Sequence, residues 1–324
     1  METALYDPGR GYYPRRSPGE DFYTAPELHP AFAQALAREI FLRLEAVAAA
    51  EPEAPLFIVE MGSGNGRLAG QILDALRRRE DGWHKRVRYV LVERVEHLLL
   101  ESVARLGAVS DGVLGYSRLE DVPPCCGVFL SNELVDALPF HVLEKKDGRV
   151  REVFVEGGAS LTLREPSTPE LARHAEAAAT WLEEGQRHAL SLAARDWMRL
   201  VATKLQRGAV LSVDYGDAPA SPVANAPRFF FRHSTGSDVL ARAGRQDLTA
   251  SVDFASLIEE GRRHGLKDVR FCSLSRFLIE RGALESLAAG DSASAYAERN
   301  RVKTLLHPGG MGEAFKVLIQ EKIA

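Results

Sequence analysis

The chain has 324 residues, 45% of them hydrophobic and 27% charged, and a formal net charge of −4. This balance predicts an ordinary globular protein of one large domain with insertions or two smaller ones, and argues against general affinity for nucleic acid or anionic membranes. No apolar run reaches the roughly 20 residues of a bilayer span, the N-terminal METALYDPGRGYYPRR lacks the apolar core of a signal peptide, and the three cysteines, Cys125, Cys126 and Cys272, point to a reducing compartment, so the default expectation is a cytoplasmic protein with an organellar location left open.

The first 29 residues carry turn formers (Pro8, Gly9, Gly11, Pro14, Pro18, Gly19, Pro26) and little periodicity. Apolar residues at 32, 36, 40, 44 and 47 then predict a helix from Ala31 to about Ala50, ended by EPEAP. LFIVE reads as a buried strand, Arg67 to Arg79 as a helix, VRYVLVE as a second strand, 94–106 as a helix and GVFLS as a third apolar strand. Alternating helices and continuous apolar strands predict a mostly parallel, doubly wound α/β sheet. FHVLEKKDGRVREVFVE breaks the rhythm as a hairpin around Asp147-Gly148, and a long helical stretch is expected from about 168 to 206. AVLSVDYG is another buried strand, followed by a polar loop over 217–250, a helix near 253–264, a strand near 268–274, short helices and a last strand, EAFKVLIQEK.

Glu60 closes the first strand, and glycines follow at 62, 64 and 66. A dinucleotide fingerprint starting at Gly62 would need Gly or Ala at 67, where this chain has Arg67. A carboxylate at the strand end would repel pyrophosphate, but it can receive an ammonium group directly or through water. Glu93, ending the second strand, is placed to accept from a ribose diol. Glycine loop and acids together favour S-adenosylmethionine (SAM) over a nicotinamide dinucleotide; the bland reading is a helix N-terminal turn with incidental glycines.

ALYDPGRGYY (4–13), EDFYTAPE (20–27), VEMGSGNGRLA (59–69), SNELVDALP (131–139), LSVDYG (211–216), GRQDLTASVDF (244–254) and GEAFKVLI (312–319) together resemble the MidA-like SAM-dependent methyltransferases. That family includes the mitochondrial complex I assembly factor that dimethylates an arginine. The chain departs from the family at Ser63 and Asn65 in the glycine loop, where proline and arginine are usual, and at Ala25, where serine is usual. The resemblance implies a class I, Rossmann-like methyltransferase fold, with an N-terminal arm and helix (1–50) over the cofactor site. A catalytic domain (51–324) would follow, carrying an insertion at about 140–206. It implies SAM as cofactor, contacted by Thr24, Glu60, Gly62, Ser63, Gly64, Gly66, Glu93 and Asn132, with a protein arginine as methyl acceptor.

Asn132, Glu133 and Asp136 follow a strand whose carboxyl end should lie at the ligand crevice. A guanidinium presents a planar fork of donors that carboxylates can hold bidentately, so these three are the expected catalytic residues, with Glu133, Asp136, Asp214 and Asp247 binding substrate. Against this stand helix capping for Asp136, a solvated turn for Glu133, and turn formation for Asp214. The aromatic GYY…DFYTAPE segment reads either as a lid over the cofactor or as a packing arm. His233 is read as structural or solvated, and no metal cluster is expected. A small-molecule methyltransferase, with a deep closed pocket, and a non-catalytic assembly protein on the same fold are the competing functions.

Overall fold

The computed structural model describes residues 1–15, 24–79, 82–157, 160–231, 234–236, 240, 242–285, 287 and 292–323. Three short helices open the chain where turns were expected: α1 (Glu2–Tyr6), α2 (Tyr12–Arg15) and α3 (Ala25–Leu28). Their apolar residues are too few to set up a period, and Leu5 and Tyr12 bury against Phe229 and Leu248 from far along the chain. α4 (Pro30–Ala50) follows the predicted stripe. Pro30 takes its first position, His29 Nδ1 accepts from the Ala31 N–H at 3.1 Å, and Phe32, Leu36, Ile40 and Leu44 are fully buried. Burial of such side chains contributes roughly 1.5–3 kcal/mol each and seats α4 on the sheet.

β1 (Leu56–Met61), α5 (Arg67–Arg77), β2 (Val87–Val92) and α6 (Glu96–Gly107) lie where they were expected. β3 (Val113–Tyr116) was not foreseen; it is a short edge strand whose residues all remain partly exposed, so it leaves no apolar run. The strand read as third is therefore the fourth, β4 (Cys125–Asn132). β5 (His141–Lys146) and β6 (Arg149–Glu156) form the hairpin around Asp147-Gly148, and β7 (Ser160–Arg164) extends it.

The long helix expected over 168–206 is corrected to α7 (Pro169–Ala178), β8 (Arg187–Leu190) and α8 (Leu192–Lys204). RHAL has no strand signature of its own, yet it pairs antiparallel with β5, from His141–Leu190 to Glu144–Arg187; tertiary pairing overrides composition. Two caps mark the separate helices: Thr168 Oγ1 accepts from the Leu171 N–H at 3.1 Å and Ser191 Oγ from the Ala194 N–H at 3.0 Å. β9 (Leu205–Asp217) leads into the expected polar loop, which carries a small sheet of β10 (Arg228–Phe231), β11 (Ser234–Gly236) and β12 (Asp247–Thr249). β13 (Val252–Asp253), α9 (Phe254–Arg263), β14 (Lys267–Ser273), α10 (Leu274–Glu280), α11 (Ala293–Leu306), α12 (Met311–Ala314) and β15 (Phe315–Lys322) complete the chain.

The central sheet runs β14-β15-β9-β4-β1-β2-β3, with β13 paired to β9. β9, β4, β1, β2 and β3 are parallel, while β15 runs antiparallel between β14 and β9. One face is covered by α4, α5, α6, α10 and α11, the other by α8 and α9. This is the expected doubly wound α/β fold. Strand order reverses between β1 and β4, and the carboxyl ends at such a switch point open a ligand crevice. Among the described residues no helix is long and apolar enough to cross a membrane.

Candidate active site

The glycine loop is bent over the ends of β1 and β2. The Gly62 N–H donates to Val92 O at 2.8 Å and the Ser63 N–H to the same oxygen at 3.3 Å. Gly62 (φ 71°) and Gly66 (φ 68°) both sit in the left-handed region, and both are crowded. A Cβ on Gly62 would lie 2.9 Å from Leu134 Cδ1, and one on Gly66 would lie 2.9 Å from Ser102 Cβ. Any side chain there combines backbone strain with a clash, which is why the sequence needs glycine.

One acid braces this loop from behind. Glu93 Oε2 accepts from the Gly64 N–H and Oε1 from the Val95 N–H, both at 2.8 Å. Burial raises the Glu93 pKa, and those backbone donors oppose the rise. Glu60 lies on the same face of β1 as Ile58, fully enclosed, and its Oε2 accepts from the Tyr89 hydroxyl. Burial pushes its carboxyl up to about 8, against the Tyr89 hydrogen bond. Ser63 Oγ and Asn132 Oδ1 are buried with no hydrogen-bond partner among the described residues.

The turn after β4 gathers the remaining acids. Glu133 is one of two described non-glycine residues at positive φ, 51°, a conformation that costs energy and tends to persist at functional sites. Its N–H donates to Val213 O at 2.9 Å, while Oε1 accepts from the Ala25 N–H and from Asn132 Nδ2, each at 3.2 Å. Asp214 is wholly buried and serves the same turn. Its Oδ2 accepts from the N–H groups of Val135 (2.9 Å) and Asp136 (3.3 Å), and its Oδ1 from that of Tyr215 (2.9 Å). Asp136 Oδ1 is buried without a partner among the described residues. Asp247 Oδ1 accepts from the Tyr13 hydroxyl at 3.0 Å and the Leu248 N–H at 2.9 Å.

Crowding these carboxyls in a buried turn changes their protonation. Burial, then the charge of Asp214, pushes Glu133 up to about 8. Asp136 and Asp214 are both raised, first by burial, and Asp136 next by the charges of Asp214 and Asp247. A positive charge brought among them would favour their ionised forms.

Glu133 and Asp136 line a cleft of about 1290 Å³, together with Tyr13, Tyr215, Asp247 and Thr249. The turn carrying them is also the wall against which Gly62 packs, through Leu134. The glycine loop and the acid cleft are thus two sides of one partition. Asp214 is not among the cleft residues; it holds the partition from within. Thr24 stands at the start of α3, its N–H donating to Glu27 Oε2 at 3.2 Å, one residue from the Ala25 N–H that meets Glu133. Asp253 caps α9 through the Ser256 N–H at 3.1 Å. His233, with Asp21, Phe22 and Tyr23, lies outside the described residues.

Three tyrosines belong to this site although no specific role was read for them in the sequence. The Tyr6 hydroxyl donates to Ala137 O at 3.2 Å, Tyr13 reaches Asp247, and Tyr215 meets Thr249 Oγ1. The aromatic N-terminal motif was the available signal. Its partners, 131 and 234 residues away, were not visible without the fold.

Residues 35–272 match the family described as "Putative S-adenosyl-L-methionine-dependent methyltransferase". The chain belongs to this family. It is 27% identical to the mitochondrial protein arginine methyltransferase NDUFAF7 homolog of Drosophila melanogaster, over 98% of this chain and 79% of that protein. It is 30% identical to mitochondrial NDUFAF7 of Danio rerio, over 79% and 66% of the respective chains. A Burkholderia thailandensis crystal structure bound to S-adenosyl-homocysteine superposes with a TM-score of 0.82 at 29% identity, covering 99% of this chain and 86% of that one. The MidA-like resemblance, the Rossmann-like fold and SAM as cofactor are thereby borne out. The protein is a SAM-dependent methyltransferase. Its curated relatives are named as mitochondrial, which gives no support to the expected cytoplasmic location.

The residues of this methyltransferase fit such a cofactor on their own terms. Gly62 and Gly66 leave two crowded positions of the loop without side chains, and the orphaned Ser63 Oγ and Asn132 Oδ1 offer hydrogen-bonding capacity that no described protein group uses.

Proposed function

We propose that the enzyme methylates an arginine side chain of a partner protein, held by Glu133 and Asp136 at the end of the acid cleft. One observation carries this reading. A strained glutamate and an aspartate with a buried, unpartnered oxygen line one cleft, on the partition that backs the glycine loop. The naming of the relatives as protein arginine methyltransferases supports it.

SAM, when bound, supplies a methyl group activated on a sulfonium. The protein's part is positional and electrostatic. Glu60, Gly62, Ser63, Gly64, Gly66, Glu93 and Asn132, with Thr24 from the arm, would form the cofactor site. Glu133 and Asp136 would grip the guanidinium and orient one nitrogen. A guanidinium arrives protonated, with a pKa above about 12, so a carboxylate must accept its proton as the new N–C bond forms. Asp136 is suited to that task because its Oδ1 has no competing protein donor among the described residues. Asp214 and Asp247 would set the field behind the pair, and Tyr6 and Tyr13 would close the arm over the site and exclude water. In this reading residues 1–50 are the covering arm, 51–324 the catalytic domain, and the insertion at about 140–206 a recognition surface.

The cleft of about 1290 Å³ exceeds the roughly 300–1,000 Å³ usual for small-ligand sites. That favours a polypeptide acceptor over a small molecule. The test is methyl transfer from isotopically labelled SAM to a pool of arginine-containing peptides, with matched pools carrying lysine or alanine instead. Label recovered as methylarginine from the first pool alone is expected. Binding of S-adenosylhomocysteine without arginine-dependent labelling, or labelling confined to small molecules, would overturn the arginine reading.

Glu93→Ala tests the cofactor half separately. It removes the acceptor of the Gly64 and Val95 N–H groups and the proposed ribose contact. Calorimetric affinity for S-adenosylhomocysteine should fall about 10–100-fold, the scale of losing a hydrogen bond to a charged group. Unchanged affinity would remove Glu93 from the cofactor site.

A further inference from the structure

The acid wall occupies one end of the cleft; the rest has a different chemistry. There the core of the insertion opens into the cavity through Leu143, Ala178, Trp181 and Leu190. The loop between β9 and β10 faces them with Pro219, Pro222 and Val223, and Val223 is 60% exposed, high for a valine. Trp181 and His188 meet edge to face, with ring centroids 5.0 Å apart. The loop is tied to the insertion by the Ala189 N–H, which donates to Asn225 O at 2.6 Å, and to the link between β12 and β13 by Asn225 Nδ2, which donates to Ser251 O at 2.7 Å. Both walls of this chamber are therefore anchored.

His188 adds a polar point to the apolar surface. Its side chain bonds the Val223 backbone, and Nδ1 is buried with no partner among the described residues. Burial lowers the His188 pKa, so the ring is neutral near pH 7. Nδ1, with no partner among the described residues, is the ring nitrogen left to accept when Nε2 carries the proton. His174, also on the chamber wall, is lowered by burial and by Arg195. Asp253 also lines this cavity and its charge acts on both histidines, but its two oxygens are taken by the Ser256 N–H and hydroxyl, so the wall around Trp181, Leu143 and Leu190 stays apolar beside His188. It suits a hydrophobic side chain together with one backbone N–H.

We propose that this chamber is a second subsite of the cleft, taking a large apolar side chain of the substrate polypeptide near the methylated arginine, with His188 Nδ1 accepting from the bound backbone. The inference rests on the arginine reading above and deepens it. The occupant follows from continuity and charge: the chamber and the acid wall are one cavity, and a single segment bearing an arginine and an apolar neighbour matches both ends. The enzyme then selects its target arginine by context as well as by charge.

The test uses the full chain saturated with S-adenosylhomocysteine and short capped peptides with one central arginine. Leucine or phenylalanine is scanned through the three positions on either side, against a glycine background. At one or two positions the apolar residue should tighten binding about tenfold, consistent with partial burial of such a side chain. Val223→Asp, an exposed loop substitution that leaves the core untouched, should cut that preference below about threefold, as should Trp181→Ala. Both variants should keep their affinity for S-adenosylhomocysteine, which reports an intact fold. No apolar preference in the wild type, or one that survives both substitutions, overturns the subsite. A parallel scan with alanine in place of arginine separates the two readings. A preference retained there leaves the subsite standing even if arginine labelling fails, whereas arginine-dependent labelling without any apolar preference removes the subsite alone.

Discussion

Asp136→Asn is expected to lower kcat for an arginine peptide by about 10³-fold, inside the ~10²–10⁴ range of a positioned general base, while S-adenosylhomocysteine binds within about threefold of wild type. The substitution keeps the shape of the side chain but removes its capacity to ionise, and it sets an amide N–H₂ where guanidinium donors must be received. Stability should move the other way or hardly at all. Asp136 is raised well above the usual carboxylate range by burial and then by Asp214, Asp247 and Glu133, which favours its neutral form in the folded, ligand-free enzyme. An asparagine copies that neutral form, and the melting temperature should hold within about 2 °C. Glu133→Gln is the companion variant, because the glutamine oxygen can still accept from the Ala25 N–H and Asn132 Nδ2. Its turnover should fall by a similar factor, and the double variant by less than the product, since the pair acts on one guanidinium. Wild-type turnover in either single variant, measured with saturating SAM, would remove that residue from the chemistry.

Four polar residues of this site were legible because each sits where a strand must end. Glu60, Glu93, Asn132 and Asp214 close apolar runs, and a parallel sheet brings such ends to one rim whatever the details of packing. Their partners were not legible. That Asp214 spends its oxygens on the backbone of Val135, Asp136 and Tyr215, and not on the cleft, depends on β9 lying beside β4, a neighbourhood no local pattern encodes. The left-handed backbone at Glu133 is likewise invisible in SNELVDALP, because glutamate carries none of the expectation that glycine or asparagine would at that conformation. The same limit explains RHAL. A four-residue strand between two well-capped helices has no period of its own, and only its pairing to β5 makes it a strand. The chamber behind the acid wall was hidden for that reason. It exists because β8 and α7 pack as separate elements, and a continuous helix over 168–206 would have left no place for it.

Raising the pH from 6 to about 8 is expected to strengthen binding of an arginine peptide by up to about tenfold per unit for each proton released, and to level off above about 8. Glu133 is pushed up to about 8, first by burial and then by Asp214, and Asp136 and Asp214 are raised with it. In the ligand-free folded chain these groups keep their protons well above the ~4–4.5 at which an unfolded chain loses them. Between those limits the native state binds more protons than the unfolded one, so the stability of the free enzyme should fall as pH rises through this window and flatten above about 8. A bound guanidinium reverses the balance, because it favours the ionised carboxylates, and protons leave as it enters. Calorimetry in two buffers of different ionisation enthalpy reads this directly: the apparent binding enthalpy at pH 7 should differ between buffers by the proton count times the enthalpy difference. Glu133→Gln should reduce that count, since a glutamine has no proton to give up. Buffer-independent enthalpies, with affinity flat from pH 6 to 8, would mean that the acids are already ionised in the free enzyme and that their crowding is relieved some other way.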